Sequence, residues 1–362
     1  MPKGYDYGNA RLRAMRSRLL TEEDYGALLA KADIKELISA LTETPYQPDL
    51  ESALLRAEGR LCILEAVRSN LTRTLRQVNG FFEDEPLMLF NLLLRRFDRD
   101  NLLAIMRGQK KEIAPDTVLS AVVPVGQLDE VSLRELSRQP GLRAAIDLMT
   151  TWRMPYASVL RKLQAAFDQL INLDQLELAI NRFHYASLAK ALEPGNENRS
   201  IVHEHIKTEI DLLNILTTLR LARIPGAATL IGQRYRAQDI RPLLIDVPAY
   251  VQVKRLSELV AGGEGPEGIV RALSDTRYGP ALNAGWQRYQ STGEGLSALE
   301  RELERWQAKQ AAAMFTHQPL SIAIPIGYMG LKEVEIANLR LIAQAVALGM
   351  PQEQVRRDLI IL

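Results

Sequence analysis

One short pattern of residues occurs three times along this chain and predicts its architecture. In each copy an acidic residue follows an apolar one and stands three positions before an asparagine, which is followed by another apolar residue. The copies are Phe97-Asp98-x-x-Asn101-Leu102, Ile210-Asp211-x-x-Asn214-Ile215 and Val334-Glu335-x-x-Asn338-Leu339. The asparagines are 113 and 124 residues apart, close to one third of the 362 residues. Because a regular internal period is the signature of repeated units, we predict three copies of one unit.

A second pattern, Leu-Glu-x-x-Leu/Ile-x-Arg, precedes each copy of the first. Its copies are Leu50 to Arg56, Leu176 to Arg182 and Leu299 to Arg305. In each copy the two apolar residues are four positions apart, as Leu50 and Leu54 are, and are predicted to face a partner helix. The Glu and the Arg are five apart and are therefore expected to contact different neighbours.

The unit is predicted to be helical. Around each asparagine, apolar residues recur at intervals of three or four, which is one face of an α-helix. The three stripes run over residues 87–105, 206–221 and 331–348. Sustained alternation of period two is absent, so the expected fold class is all-α with little or no sheet. Turn-forming residues follow the stripes at Gly108, at Pro225-Gly226 and at Gly349. We accordingly divide the chain into three predicted helical repeat units: 1–112, 113–223 and 224–362.

Composition excludes several classes of protein. The chain carries 45 Lys and Arg against 44 Asp and Glu, a net charge of +1 with a pI of about 7.8, and nothing favours nucleic-acid binding. The single cysteine, Cys62, cannot form an internal disulfide, which favours a reducing compartment. No secretory signal and no apolar stretch of about 18 residues is present, so we expect no membrane-spanning segment.

The repeated acids and asparagines are the main candidate functional residues. Each asparagine lies on an apolar stripe and is predicted to be buried, where its amide must be hydrogen-bonded. The acid lies one turn earlier on the same face, and the pair is suited to holding a neighbouring loop or helix end. The alternative is a threefold ring of acid–amide pairs that lines a central cavity. The residues concerned are Asp98, Asn101, Asp211, Asn214, Glu335 and Asn338.

The N-terminal segment is predicted to form a basic amphipathic helix. Arg11, Arg13 and Arg16 alternate there with Leu12 and Met15. Such a run is usually a solvated face. The alternative is electrostatic contact with an acidic partner or with lipid head groups, so these arginines are candidate partner-binding residues.

Sequence patterns for catalysis, metal binding and cofactor binding are missing. His203 and His205 are two positions apart, which points them to different sides of a helix. Gly263-x-Gly265-x-x-Gly268 matches a dinucleotide-binding pattern by its letters. However, it follows a helix-like segment rather than a strand, and Glu264 and Glu267 would repel a phosphate. We predict no catalytic residue, no metal and no cofactor.

The ordered set of motifs over nearly the whole chain resembles the C subunit of archaeal and bacterial A/V-type rotary ATPases, the homologue of the vacuolar enzyme's d subunit. The motifs that carry this resemblance begin with Tyr5-x-Tyr7-x-Asn9-Ala10-Arg11-x-Arg13-Ala14-Met15 and Thr44-Pro45-Tyr46. They continue with residues 98–105, 210–215 and Gly327-Tyr328-x-x-Leu331-Lys332-Glu333-x-Glu335-x-x-Asn338-Leu339-Arg340.

The resemblance implies a funnel of three similar helical units around a pseudo-threefold axis. It implies a non-catalytic rotor part, peripheral to the membrane on its cytoplasmic side. Its partners would be the central shaft subunits of the ATPase head and the membrane rotor (proteolipid) ring, and torque would pass between them for proton or sodium transport.

Two other classes stay open on the residues alone. An all-helical repeat adaptor unrelated to ATPases would share the periodicity, although its units are usually about 34–47 residues long. An enzyme could use Asp98, Asp211 and Glu335 as acids or metal ligands, although metal sites in helical bundles favour Glu-x-x-His pairs, which are missing here.

Overall fold

The computed structural model describes residues 4–166, 173–193, 195–223, 229–230, 233–234, 236–293, 295–316 and 318–362, and these are overwhelmingly helical. The helices of the first part are α1 (Tyr5–Arg16), α2 (Glu22–Leu29), α3 (Ile34–Leu41), α4 (Gln47–Leu54), α5 (Gly59–Asn79), α6 (Asp84–Lys110), α7 (Pro115–Leu119), α8 (Glu130–Ser137) and α9 (Leu142–Thr151).

The remaining helices are α10 (Ala157–Ala166), α11 (Leu173–Ala191), α12 (Glu197–Arg223), α13 (Ala237–Ile240), α14 (Val253–Ala261), α15 (Pro266–Ala272), α16 (Gly279–Thr292), α17 (Leu296–Thr316), α18 (Ala323–Leu348) and α19 (Gln352–Asp358). Two-residue strands β1 (Thr229–Leu230) and β2 (Gln233–Arg234) pair antiparallel, and Arg241–Leu243 forms a 3₁₀ turn. The all-α prediction is confirmed.

The contacts divide the chain into two compact units. Unit 1 comprises Met1–Met154 together with Ala308–Leu362, and unit 2 comprises Pro155–Gln307. The three-way division at residues 112 and 223 describes the sequence repeat and stays a prediction.

The three asparagine stripes lie on the three longest helices of the described chain, α6, α12 and α18. As predicted, α6 ends at Lys110 after Gly108, and α18 ends just before Gly349, whose φ of 62° is the left-handed conformation that favours glycine. The break expected at Pro225-Gly226 lies outside the described residues.

Helix α18 is central to unit 1, where α1, α2, α3 and α5 contact it. Its first turns are buried on every side, as expected for a helix that is apolar all round. Gly327 permits a close approach to α17, since a Cβ there would lie 2.6 Å from the Phe315 nitrogen and 2.8 Å from the Ala311 oxygen.

Unit 2 has its own core around α12, α14, α15 and α16, with Leu256, Ile269, Leu273, Leu282 and Leu299 fully buried. The Gly263 to Gly268 pattern joins α14 to the first turn of α15. It follows a helix, so the prediction that it is a connecting loop rather than a dinucleotide site is consistent with its position.

The first copy of the Leu-Glu pattern is not structurally equivalent to the other two. Leu176 and Leu299 lie near the beginnings of the long helices α11 and α17, whereas Leu50 lies on the short helix α4. Leu54 is 48% exposed, so the prediction that it faces a partner helix was wrong. The buried Ile63 on α5, 38 residues before Asn101, has the position that Leu176 has before Asn214.

Candidate functional site

All three repeated asparagines are buried, with at most 3% of the residue exposed. Each side-chain amide forms two hydrogen bonds with the backbone of a single residue beyond the helix: its NH₂ donates to the carbonyl, and its oxygen accepts from the N–H. The pairs are Asn101 with Val123, Asn214 with Ile245 and Asn338 with Ile360, at 2.8–3.0 Å. The prediction that the amides are buried and hold neighbouring segments is confirmed.

The first two acids hold the same segments a few residues further on. The Asp98 carboxylate accepts hydrogen bonds from the backbone N–H groups of Gln127 at 2.8 Å and Leu128 at 2.9 Å. A Cβ on Gly126 would lie 2.3 Å from both Asp98 oxygens, so only glycine lets this loop come so close. Asp211 likewise accepts from the N–H groups of Tyr250 and Val251, both at 3.1 Å.

The third acid holds a segment from the other end of the sequence. Glu335 accepts a hydrogen bond from the backbone N–H of Leu20 at 2.6 Å, just before α2. Asn338, on the same helix, holds Ile360, just after α19. The acid and the asparagine on α18 therefore fix two segments that lie far apart in the sequence.

A tyrosine hydroxyl also donates to two of the three acids. Tyr278 donates to Asp211 at 2.8 Å, and Tyr46 donates to Glu335 at 2.6 Å. Both tyrosines are buried directly before a helix that begins with proline nearby, and each N–H donates to the hydroxyl of a threonine two residues earlier. This Thr-x-Tyr turn, at Thr44 and Thr276, is a repeated feature that our sequence analysis missed in its second copy.

The third acid is in direct contact with a lysine. Lys332, one turn before Glu335 and almost fully buried, donates to the Glu335 carboxylate and, at 2.9 Å, to the Tyr46 hydroxyl. Burial lowers the pKa of the Lys332 ammonium, which the Glu335 carboxylate partly offsets. Burial and the nearby Glu335 raise the pKa of Tyr46, so this hydroxyl stays a donor.

Burial also controls the two aspartates. It raises the pKa of Asp98, although the two backbone N–H groups that bind its carboxylate act to lower that pKa. It raises the pKa of Asp211 to about 6 despite the hydrogen bonds from Tyr278 and Val251. Raised pKa values of acids can mark catalytic groups. Here, however, the hydrogen bonds described for Asp98 and Asp211 all come from the protein's own loops.

The buried pairs therefore act as fasteners between long helices and loops. Their exposed fraction of 3% or less is what a structural role requires, because an acid turned to a loop cannot also contact a ligand. The suggestion that they line a central funnel stays a prediction.

An arginine from the preceding helix adds to the first two fasteners. Arg68 on α5 donates to the carbonyl of Val122 at 3.2 Å, and Arg182 on α11 donates to that of Leu244 at 2.7 Å. Each carbonyl belongs to the residue just before the one held by the asparagine. In the Leu-Glu sequence pattern, Arg182 corresponds to Arg56. In the structure, its counterpart is Arg68, because residue identity in a short pattern does not fix the position on a helix.

The basic N-terminal helix is present as α1. Arg11, Arg13 and Arg16 are all exposed. The Arg11 guanidinium lies 5.3 Å from the ring centre of Phe81, and that of Arg16 lies 5.1 Å from the ring centre of Phe315. These cation–π contacts orient two of the cations but leave all three accessible. Their role in binding a partner stays a prediction.

Within the described part of the chain, no three His, Cys, Asp or Glu side chains are grouped so that they could hold a metal ion. Nor does any helix described there have the length and apolarity needed to span a bilayer.

Comparison with known proteins identifies the family. The model of the family described as ATP synthase (C/AC39) subunit matches residues 8–358. Among curated proteins, the C subunit of the A-type ATP synthase of Methanocaldococcus jannaschii is 21% identical, over 98% of this chain and 86% of its own length. The C subunits of the A-type ATP synthases of Archaeoglobus fulgidus and Methanococcoides burtonii are 24% and 25% identical, over 98% and 99% of this chain and 95% and 94% of their own lengths. Since the match covers nearly all of the repeat-bearing sequence, this chain belongs to the ATP synthase (C/AC39) subunit family.

Proposed function

We propose that this protein is the central-stalk rotor subunit that links the shaft of a rotary ATPase head to its membrane rotor ring. Family membership identifies it as a structural rather than a catalytic subunit of the complex. In this role it transmits torque between ATP turnover and the movement of protons or sodium ions, and it lies peripherally on the cytoplasmic face of the membrane.

The observation that best supports this role is the set of internal fasteners. A part that transmits torque must resist twisting, so its long helices need fixed positions relative to the loops that join them. Fully satisfied buried polar networks provide such rigidity. Three long helices each carry an acid and an asparagine bound to loop backbone, in the same order and with the same hydrogen-bonding groups.

A further tie reinforces the centre of unit 1. The buried Asn9 amide on α1 donates to the carbonyls of Pro319 and Ser321, both at 2.9 Å, in the segment that leads into α18. Helix α18 and the segment that leads into it thus have polar ties to α1, to the segment before α2, to the turn before α4 and to the segment after α19. A rotor part built in this way deforms little under load.

Comparison of the complex with and without this chain tests the proposal. We expect the complete complex in sealed vesicles to couple ATP hydrolysis to ion uptake. Without the chain, the soluble head should still hydrolyse ATP, but ATP-driven uptake should be lost, and adding the purified chain should restore it. Undiminished ion uptake without the chain would refute the proposal, as would failure of the tagged chain to co-purify with shaft and ring subunits.

A further inference from the structure

Unit 1 contains a small cavity between α6, α18 and the loop that Asn101 holds. Its volume is about 270 Å³. Apolar side chains form much of its wall, among them Leu71, Phe97 and Ile336. Three charged residues, Asp100, Glu333 and Arg340, complete the lining.

The two acids of this cavity are engaged by other residues. Glu333 forms an ion pair with Arg96. Asp100 forms one with the neighbouring Arg99, at 2.9 Å. The one amide in the lining, Asn101, is occupied by the backbone of Val123.

Arg340 differs from these residues. Among the described residues it has no ion pair or hydrogen bond, whereas Arg73 of the same unit contacts Asp49 at 2.6 Å. Arg340 is exposed to solvent at the edge of the cavity, and partial burial lowers the pKa of its guanidinium without an acid to offset the effect. An exposed guanidinium beside an apolar cavity, with no carboxylate in contact, is free to bind an incoming anion.

The internal repeat shows that this cation is specific to the third copy. Arg340 stands two positions after Asn338. The residues two positions after Asn101 and Asn214 are Leu103 and Leu216. The helix position itself therefore suits an apolar residue, and folding of the repeat does not require an arginine there.

We infer that this cavity is a docking site for a segment of another subunit that carries an Asp or Glu beside an apolar side chain. The carboxylate would pair with the Arg340 guanidinium, which can bind it through two parallel hydrogen bonds. The apolar side chain would enter the cavity against Phe97 and Ile336. Burial of such an anchor is typical of residues that dominate binding energy.

Size and charge favour a protein segment over other anionic ligands. A volume of about 270 Å³ lies below the roughly 300–1,000 Å³ of typical small-molecule sites. The carboxylates of Asp100 and Glu333 oppose a multiply charged phosphate or lipid head group, whereas a single carboxylate can be matched by the Arg340 guanidinium. The inference rests on the proposed function in one respect, since it takes the partner from the assembled ATPase.

The test measures the affinity of the purified full chain for the complex from which this chain has been removed. Arg340→Leu installs the residue type of the other two repeats, so we expect its thermal unfolding to match or exceed that of the wild type. We expect its dissociation constant to rise at least about tenfold, the effect of losing a charge-assisted hydrogen-bonded pair. Arg340→Lys should bind with intermediate affinity because it keeps the charge but loses the planar fork. Arg143→Leu, at an exposed arginine elsewhere in unit 1, is the matched control and should bind like the wild type.

Cross-linking identifies what enters the cavity. Cys62, the only native cysteine, is buried, so Ala337→Cys places one accessible thiol on the cavity wall. A short thiol-directed photocross-linker attached there should capture a peptide of another subunit in which Asp or Glu stands near an apolar residue. Equal affinity of the wild type and Arg340→Leu would overturn the inference and leave the proposed function intact, as would cross-links to lipid alone. Failure of the wild type to bind the depleted complex at all would overturn both.

Discussion

Replacing Asn101 with leucine is the most direct perturbation of a fastener. The substitution keeps a side chain of similar size on α6 but removes both hydrogen bonds to Val123. The lost bonds are 2.8 Å long, and the backbone groups that they serve are buried. The N–H of Val123 would lose its partner, whereas its C=O would keep the hydrogen bond that it accepts from the Val125 N–H at 3.0 Å.

The expected cost follows mainly from the N–H group. Leaving a buried polar group unpaired costs roughly 1–3 kcal/mol. The C=O adds little to this cost, because it keeps the hydrogen bond from the Val125 N–H. We therefore expect Asn101→Leu to lower the free energy of unfolding by about 1–3 kcal/mol.

Two measurements check this expectation. Urea titration followed by circular dichroism at 222 nm gives the change in the free energy of unfolding. Hydrogen exchange of the Val123 amide gives the local effect, which we expect to be at least about tenfold faster exchange because its bond partner is gone.

Asn91→Leu is the matched control, since Asn91 is an exposed asparagine on the same helix. It should change stability by less than about 0.5 kcal/mol, as surface substitutions usually do. Wild-type unfolding of Asn101→Leu, together with exchange of its Val123 amide at the wild-type rate, would show that Asn101 does not hold this loop.

Three further predictions concern protonation, assembly and nucleotide binding. Burial raises the pKa of Asp211 to about 6 from the 3.8 of an unperturbed carboxyl, so the folded state binds this proton more tightly. The associated stability is fully present below about pH 4 and is lost as the pH rises through about 6. The free energy of unfolding should therefore fall by about 2–3 kcal/mol more in the wild type than in Asp211→Asn over that range, and parallel pH profiles would contradict the assignment. Replacing Arg11, Arg13 and Arg16 together with Glu should weaken co-purification of shaft and ring subunits, most visibly at low salt, where the Debye length exceeds about 10 Å. As a control, the triple variant should keep the helicity of the wild type by circular dichroism. Unchanged co-purification would show that these arginines form an ordinary solvated face. The isolated chain should give no saturable heat with ATP in calorimetry, since it carries no phosphate-binding sequence, and saturable binding would contradict a non-catalytic role.

The sequence predicted the long helices and the role of their asparagines because both depend on local information. An amide on an apolar stripe must be buried, and a buried amide must have partners, so the hydrogen bonds of Asn101, Asn214 and Asn338 follow from position alone. The identity of those partners did not follow. Val123 and Ile360 lie 22 residues after their asparagines, whereas Ile245 lies 31 residues after Asn214. Because the loops differ in length, no constant spacing in the sequence predicts which residue each asparagine binds.

The Leu-Glu pattern shows where letter matching fails. Leu50 and Leu176 stand in similar strings, but the first string lies on a short helix with Leu54 turned to solvent. The position equivalent to Leu176 is Ile63, which is followed directly by Leu64 rather than by a glutamate. The distance to the following asparagine would have identified Ile63, since both Ile63 and Leu176 stand 38 residues before theirs. Burial in the core fixes where an apolar residue must lie more strongly than it fixes which apolar residue is used.

The third fastener explains why the repeat is imperfect. Asp98 and Asp211 bind segments that follow their own helices, at most 67 residues away, whereas Glu335 binds Leu20 and Tyr46, which are 315 and 289 residues away. Glutamate has one more methylene than aspartate, and Lys332 donates directly to the Glu335 carboxylate. A buried carboxylate is costly unless it is paired, and the Lys332 ammonium supplies that pair for Glu335. The features that depart from the repeat, Glu335 with Lys332 and then Arg340, therefore lie on the same helix. Helix α18 binds segments from both ends of unit 1, near Leu20 and near Ile360. It also carries Arg340, a cation that has no acidic partner among the described residues.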